Sequence, residues 1–323
     1  MQLVPATPAT PRPARQPKRA VHGVLLLDKP LGLSSNDALQ RVRRLLRAEK
    51  AGHAGTLDPL ATGLLPLCFG AATKFSQLGL EADKGYRAVL KLGVTTTTAD
   101  AEGEVLQRRA VDVTAAAVEA AANRFIGPIE QVPPMHSALK RDGKALYEYA
   151  RAGVEIVREP RRVTIHRIDV IDWQADRLEI DVRCSKGTYV RTLAEDIGEA
   201  LGCGAHLAAL RRTTSGALSV EQAVPLTVLQ DLSPEEIDAR LLPVDTLVAD
   251  RPALRLDAEE AGRFLSGMRR RLKNQPDDEL VRVYGPQPAA FLGTARVRAG
   301  ELIPLRLLSP LEVEAVLQSR TPR

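Results

Sequence analysis

Two segments about ninety residues apart alternate with a period of two. In the first, Tyr86, Ala88, Leu90 and Leu92 alternate with Arg87, Val89 and Lys91. In the second, Leu178, Ile180, Val182 and Cys184 alternate with Glu179, Asp181 and Arg183. That spacing places the apolar side chains on one face of a strand and the charged ones on the other. A third apolar run, Val24 to Leu27, predicts a short buried strand ended by Lys29-Pro30. Helical patterns fall at 35–46, 114–125, 188–201 and 234–241, without strict strand–helix–strand alternation. The expected fold class is therefore α+β with a mixed, largely antiparallel sheet.

A length of 323 residues is a prior for about two domains. With 44% hydrophobic residues the chain can bury a core. Residues 1–20 read as a disordered tail, with five prolines, Arg12, Arg15, Lys18 and Arg19 and no acid. These four cations account for most of the net charge of +5, so binding to a polyanion has to rest on local patches. Arg41, Arg43, Arg44 and Arg47 on one helix face, and Arg269, Arg270, Arg271 and Lys273 further on, are such patches. A boundary near 250 separates a domain over 21–250 from a β-rich module over 251–323, with expected strands at 279–284, 290–298 and 302–308.

Three cysteines, an odd count with no C-x-x-C pair, fit a reducing compartment. No apolar run approaches the roughly 20 residues of a membrane span, and the N-terminus lacks a signal-peptide core. A soluble cytoplasmic protein is expected. Phosphate-loop, dinucleotide, zinc-protease and serine-hydrolase motifs are absent, and the five histidines have no ligand spacing. Side-chain chemistry, with no metal or other cofactor, is the expectation.

Three segments carry that chemistry. Gly52 to Gly63 contains three glycines and Asp58-Pro59. Such a loop presents a carboxylate where a nucleophile or base would stand, although Asp-Pro is also an ordinary turn. Cys184 to Leu193 ends a strand, turns at Gly187 and starts a helix. Tyr189 and Arg191 lie in its first turn, placed to stack a base and pair a carboxylate, or to cap the helix with Arg191 bridging to Glu195. Gln131 to Lys144, followed by Tyr147 and Tyr149, combines prolines, cations and aromatics in a pattern seen in nucleic-acid binding and also in ordinary packing.

These segments resemble one family. Leu27-Asp28-Lys29-Pro30, the run from Gly52 to Leu65, Lys84-Gly85-Tyr86, Pro133 to Lys140 and Cys184 to Arg191 occur in the same order in the TruB family, the bacterial tRNA pseudouridine-55 synthases. The match spans about residues 22–250. The last 70 or so residues more weakly resemble that family's small PUA-like RNA-binding module. The resemblance implies a pseudouridine synthase core with a central RNA cleft, and conversion of one T-loop uridine to pseudouridine with no cofactor. It implies that Asp58 is the catalytic aspartate, attacking C1′ or C6 or removing the C2′ proton. Arg191 matches its cationic partner and Tyr86 the tyrosine that stacks on the base. His53, Tyr189, Leu210 and Lys29 match residues around the flipped uridine, and 131–160 matches an RNA-clamping insertion. The implied partner is the tRNA T-arm, with no membrane and no protein partner, for a monomeric enzyme. Extruding a base costs a few kcal/mol, and stacking returns about 1–3 kcal/mol. Tyrosines beside the candidate aspartate suit that need in a chain with only 3% aromatics. An RNA-binding protein with a vestigial site and a small-molecule lyase are the competing classes.

Overall fold

The computed structural model describes residues 17–137, 139–272, 275–286 and 290–320. The expectations placed on residues 1–16, Ala138 and Lys273 lie outside that range. Arg19, assigned from sequence to the tail, belongs to the folded body. It pairs with Asp238, and its backbone N–H donates to Arg47.

Among the described residues ten strands form the main sheet. Along its path they run Val224–Pro225, Gly23–Lys29, Ala61–Phe69, Ala205–Ser215, Lys84–Leu92, Arg177–Cys184, Arg161–Gln174 and Gly127–Gln131, with two short strands at its margins. Two neighbouring pairs are parallel, 23–29 with 224–225 and 61–69 with 205–215; the others are antiparallel. The sheet is thus mixed and largely antiparallel, and the two period-2 segments pair with each other, Tyr86 opposite Val182 and Leu90 opposite Leu178.

Gly23–Lys29 lacks alternation because both of its faces are covered. Leu25 and Leu27 pack with Leu39 and Val42 of the Ser35–Leu45 helix and with its C-cap Leu46, while Val24 and Leu26 pack with Phe75, Phe291 and Leu308. Ser34 caps that helix by accepting the Asp37 N–H at 3.1 Å, worth about 1 kcal/mol. The Val190–Ala200 helix lays Val190, Leu193, Ala194 and Ile197 against Leu90, Leu178 and Ile180. It starts two residues later than the periodicity suggested, because Tyr189 is its N-cap in an extended conformation.

A separate five-stranded sheet spans 253–307, in the order Ala253–Arg255, Asp278–Tyr284, Phe291–Arg298, Glu301–Leu307 and Arg270–Arg271. It does not hang free. Phe291 packs on Phe75 with ring centroids 5.1 Å apart, and Lys74 pairs with Glu312 and donates to the Leu307 carbonyl. Tyr284 and Arg282 converge on the buried Asp245. Among the described residues no helix is long and apolar enough to cross a membrane.

Candidate active site

The loop carrying Asp58 is fixed from both sides. Strand Ala51–His53 pairs back on Leu67 to Phe69, so residues 54–60 form a return over the sheet end. Buried Ser35 accepts the Leu57 N–H at 2.7 Å and donates to the Leu57 carbonyl at 3.1 Å. The Asp58 carbonyl accepts from Ala61, and the Pro59 carbonyl accepts from Gly32. Gly63, at φ +96°, lets the chain turn into strand 61–69, since a Cβ there would lie 2.3 Å from the Arg212 carbonyl oxygen.

Arg191 reaches Asp58 from the helix on the opposite wall. Its Nη2 lies 3.1 Å from Asp58 Oδ2 and donates to the His136 carbonyl at 2.7 Å. Its Nη1 lies 3.3 Å from Asp100 Oδ2 and donates to the Thr98 carbonyl at 3.3 Å. One guanidinium, 5% exposed, is therefore shared by two carboxylates. The alternative partner Glu195 is not used as an ion pair among the described contacts. Asp100 is buried and held by Thr98 Oγ1 at 2.5 Å and the Glu102 N–H at 3.1 Å, whereas the Asp58 side chain stays 44% exposed and faces the cleft.

The resemblance made Arg191 the cationic partner of Asp58, and a cation at that distance favours the carboxylate. The structure adds an opposing effect. Desolvation pushes the Asp58 carboxyl above the ordinary carboxylate range, Arg191 and Lys29 pull it down, and Asp100 pushes it further up.

The third wall comes from the centre of the sheet. In the 84–92/205–215 ladder, Tyr86 stands opposite Arg212 and Ala88 opposite Leu210; Leu210 also faces Ala61 across the parallel pair. These side chains enclose a cleft of about 370 Å³ lined by Asp58, Tyr86, Tyr189, Arg191 and Leu210, together with Lys84, Ser137 and Arg212. Its size falls in the usual range for small-ligand sites. Burial raises the Tyr86 and Tyr189 phenols above their usual value, opposed by Arg212 at Tyr86 and by Ser137 at Tyr189. Gln131 fixes Tyr189 with both ends of its amide: Oε1 accepts the Tyr189 N–H at 3.0 Å and Nε2 donates to its carbonyl at 3.2 Å.

Five of the seven site residues expected from sequence thus meet in one cleft, and two do not line it. Lys29 is fully buried and donates to the Pro30 and Leu33 carbonyls at 2.9 and 2.6 Å. Its ammonium is pushed down to about 8 by burial, with Asp58 opposing, so it fixes the turn after its own strand and adds positive field at Asp58. His53 sits in the strand before the loop, its Nδ1 buried without a hydrogen-bond partner. Desolvation and then Arg212 lower its pKa, favouring the neutral ring.

Asp100 and Arg212 escaped sequence reasoning, while Lys84, Gln131 and Ser137 lay inside its motifs without a role of their own. The four-threonine turn before Asp100 and the charged Arg212 within an otherwise half-buried strand were the available signals. Among the described residues no three of His, Cys, Asp and Glu converge as a metal site.

The fold is that of the pseudouridine synthases. The chain superposes on the crystal structure of a Cbf5-Nop10-Gar1 complex with a TM-score of 0.66 and 25% identity, covering 90% of this chain and 80% of that one. For an H/ACA RNP bound to a substrate RNA containing 2′-deoxyuridine, the TM-score is 0.69 at 22% identity, with 90% and 86% covered, which speaks to fold alone. Family models sharpen this. Residues 43–190 match the TruB family pseudouridylate synthase N-terminal domain, 191–249 the tRNA pseudouridylate synthase B C-terminal domain, and 252–308 the pseudouridine synthase II TruB C-terminal region. The chain belongs to the TruB family and is an isomerase of the pseudouridine synthase class. Its relatives include proteins named tRNA pseudouridine synthase B from Cupriavidus pinatubonensis (59% identity, covering 93% of this chain and 98% of the relative) and Ralstonia nicotianae (59%, covering 91% and 96%).

Proposed function

We propose that this protein converts uridine-55 in the T-loop of tRNA to pseudouridine, without a cofactor, with Asp58 as the nucleophile or base. The observation that carries the reading is the Asp58–Arg191 pair at 3.1 Å, exposed on the Asp58 side to a cleft walled by Tyr86, Tyr189 and Leu210. Breaking the N1–C1′ bond, rotating the uracil and rejoining it through C5 is redox-neutral and loses no atoms. It requires a carboxylate at the sugar or at C6 of the base, and a surface on which the loose base stays stacked. Asp58 supplies the first, and Tyr86 with Leu210 the second. The conversion of uridine to pseudouridine in tRNA agrees with the names of the relatives. In this reading residues 21–250 are the catalytic domain, 131–160 an RNA-clamping insertion and 251–323 an RNA-binding module, acting as a monomer in the cytoplasm.

The test is mass-spectrometric mapping of pseudouridine in an unmodified tRNA transcript incubated with the protein alone. Modification confined to position 55 is expected. Asp58→Asn is expected to abolish it while leaving RNA affinity within a few-fold. Substantial turnover by that variant refutes the catalytic assignment, and modification at another position refutes the target.

A further inference from the structure

Arg212 is 1% exposed, among the largest fully buried side chains of the protein. Its hydrogen-bond acceptors are neutral. Nε donates to the Leu64 carbonyl at 2.7 Å, and Nη1 and Nη2 donate to the Thr56 and Gly55 carbonyls at 3.4 Å. Among the described residues no carboxylate lies within ion-pair distance of it, whereas Arg191 and Arg211 of the same fold each meet one. A guanidinium stays charged even when buried, and a buried charge without a counter-ion is strongly unfavourable. The fold nonetheless holds it there. Gly55, at φ +142°, is shaped around it, since a Cβ at that position would lie 3.2 Å from Nη1.

The other cations nearby are accounted for. Arg191 is matched by Asp58 and Asp100. Lys84 also has only neutral acceptors, the Gly79, Leu80 and Ala82 carbonyls, but burial pushes it down to about 8, so its charge is given up far more readily than a guanidinium's. Arg212 is a permanent positive charge of the cleft with no carboxylate beside it among the described residues, directly across the ladder from Tyr86, whose phenol interacts with it.

The reaction proposed above creates a negative charge at this place. When N1–C1′ breaks, the bonding pair leaves with the pyrimidine, whether Asp58 attacks C1′ or removes the C2′ proton. The ring remains anionic until C5 bonds to C1′, after which the proton on C5 is lost and N1 takes one up, so that product and substrate are isomers. Resting on that reading, we infer that Arg212 is a positioning and electrostatic residue, whose unpaired guanidinium acts through Tyr86 to hold the detached uracil anion in the cleft. A preorganised charge aimed at developing charge is the usual source of such stabilisation.

The test compares wild type, Arg212→Lys and Arg212→Gln in single-turnover pseudouridine formation on a T-arm hairpin, with hairpin affinity measured in parallel. Lysine keeps the charge, and glutamine keeps hydrogen bonding without it. The lysine variant is expected within about 10-fold of wild type and the glutamine variant slower by about 100-fold or more, both at nearly unchanged affinity. Equal losses in the two variants, or losses confined to affinity, overturn the inference.

A second measurement needs no variant. Barbiturate and uracil share a ring shape but are anionic and neutral at pH 7, and each is titrated into the wild-type protein by ligand-observed NMR. Barbiturate is expected to bind at least about 10-fold more tightly; equal affinities overturn the inference even where the variants do not fold. A wild type that makes no pseudouridine refutes the proposed function, while the titration still decides whether the cleft carries this charge.

Discussion

Replacing Asp100 by Asn tests whether the shared guanidinium organises the site. Asp100 and Arg191 are both buried, and Asp100 takes Thr98 Oγ1 and the Glu102 N–H on the oxygen facing away from the arginine. In the variant, those two donors claim the amide oxygen and turn the amide nitrogen toward Arg191, donor against donor. Removing one member of a buried pair costs about 3–5 kcal/mol when nothing replaces it. Here Arg191 keeps Asp58 and the Thr98 and His136 carbonyls, so about 2 kcal/mol is a fitting estimate, roughly a 30-fold slower reaction.

The pH dependence has an independent sign. Desolvation raises the Asp58 carboxyl and Arg191 lowers it, with Asp100 raising it further. Activity needs the carboxylate, so it is lost as pH falls through that raised value. Removing the Asp100 charge moves the acid limb of the pH–rate profile to lower pH, even as the plateau drops. Single-turnover rates on a T-arm hairpin across the acid range read both effects. A plateau within two-fold of wild type, or an acid limb displaced to higher pH, refutes the account of the shared guanidinium.

Tyr86→Ala is expected to cost about 100-fold or more in rate but only a few-fold in hairpin affinity, because the tyrosine meets the base after extrusion; a loss in affinity alone would contradict its place at the reacting base. Tyr284→Phe removes the hydroxyl that donates to Asp245 between the two sheets, and urea denaturation should show about 1 kcal/mol lower stability; an unchanged midpoint would mean that this contact does not secure the second sheet. Burial pushes the Cys68 and Cys184 thiols up to about 12 and 11. An aromatic disulfide reagent should therefore leave both unlabelled in the native protein and label them rapidly in urea; fast native labelling would contradict the packing of the sheet.

Local order was legible in the residues. The alternation of 86–92 and 178–184 identified two strands, because half-buried strands impose a period of two; that the two pair with each other came from the fold. The apolar spacing of 188–201 identified the helix bearing Arg191, although its start was set by Tyr189 and by the Gln131 amide, a partner 58 positions away. Strand Ala205–Ser215 went unread. Its register slips after Leu207 and again after Arg212, which breaks the alternation, and it contributes both Leu210 and Arg212 to the cleft.

By itself the sequence determined the α+β class, the family resemblance and five of the residues that line the cleft. It did so because motifs and periodicities are properties of neighbouring residues. Tertiary structure alone decided that Asp100 shares Arg191 with Asp58, that Lys29 is buried where its charge reaches Asp58, and that Arg212 lies buried beside Tyr86 with no carboxylate against it among the described residues. Those relations join residues from 29 positions apart (Lys29 and Asp58) to 133 (Asp58 and Arg191), and they depend on burial, which sets the strength of each charge and is fixed only once the strands have paired.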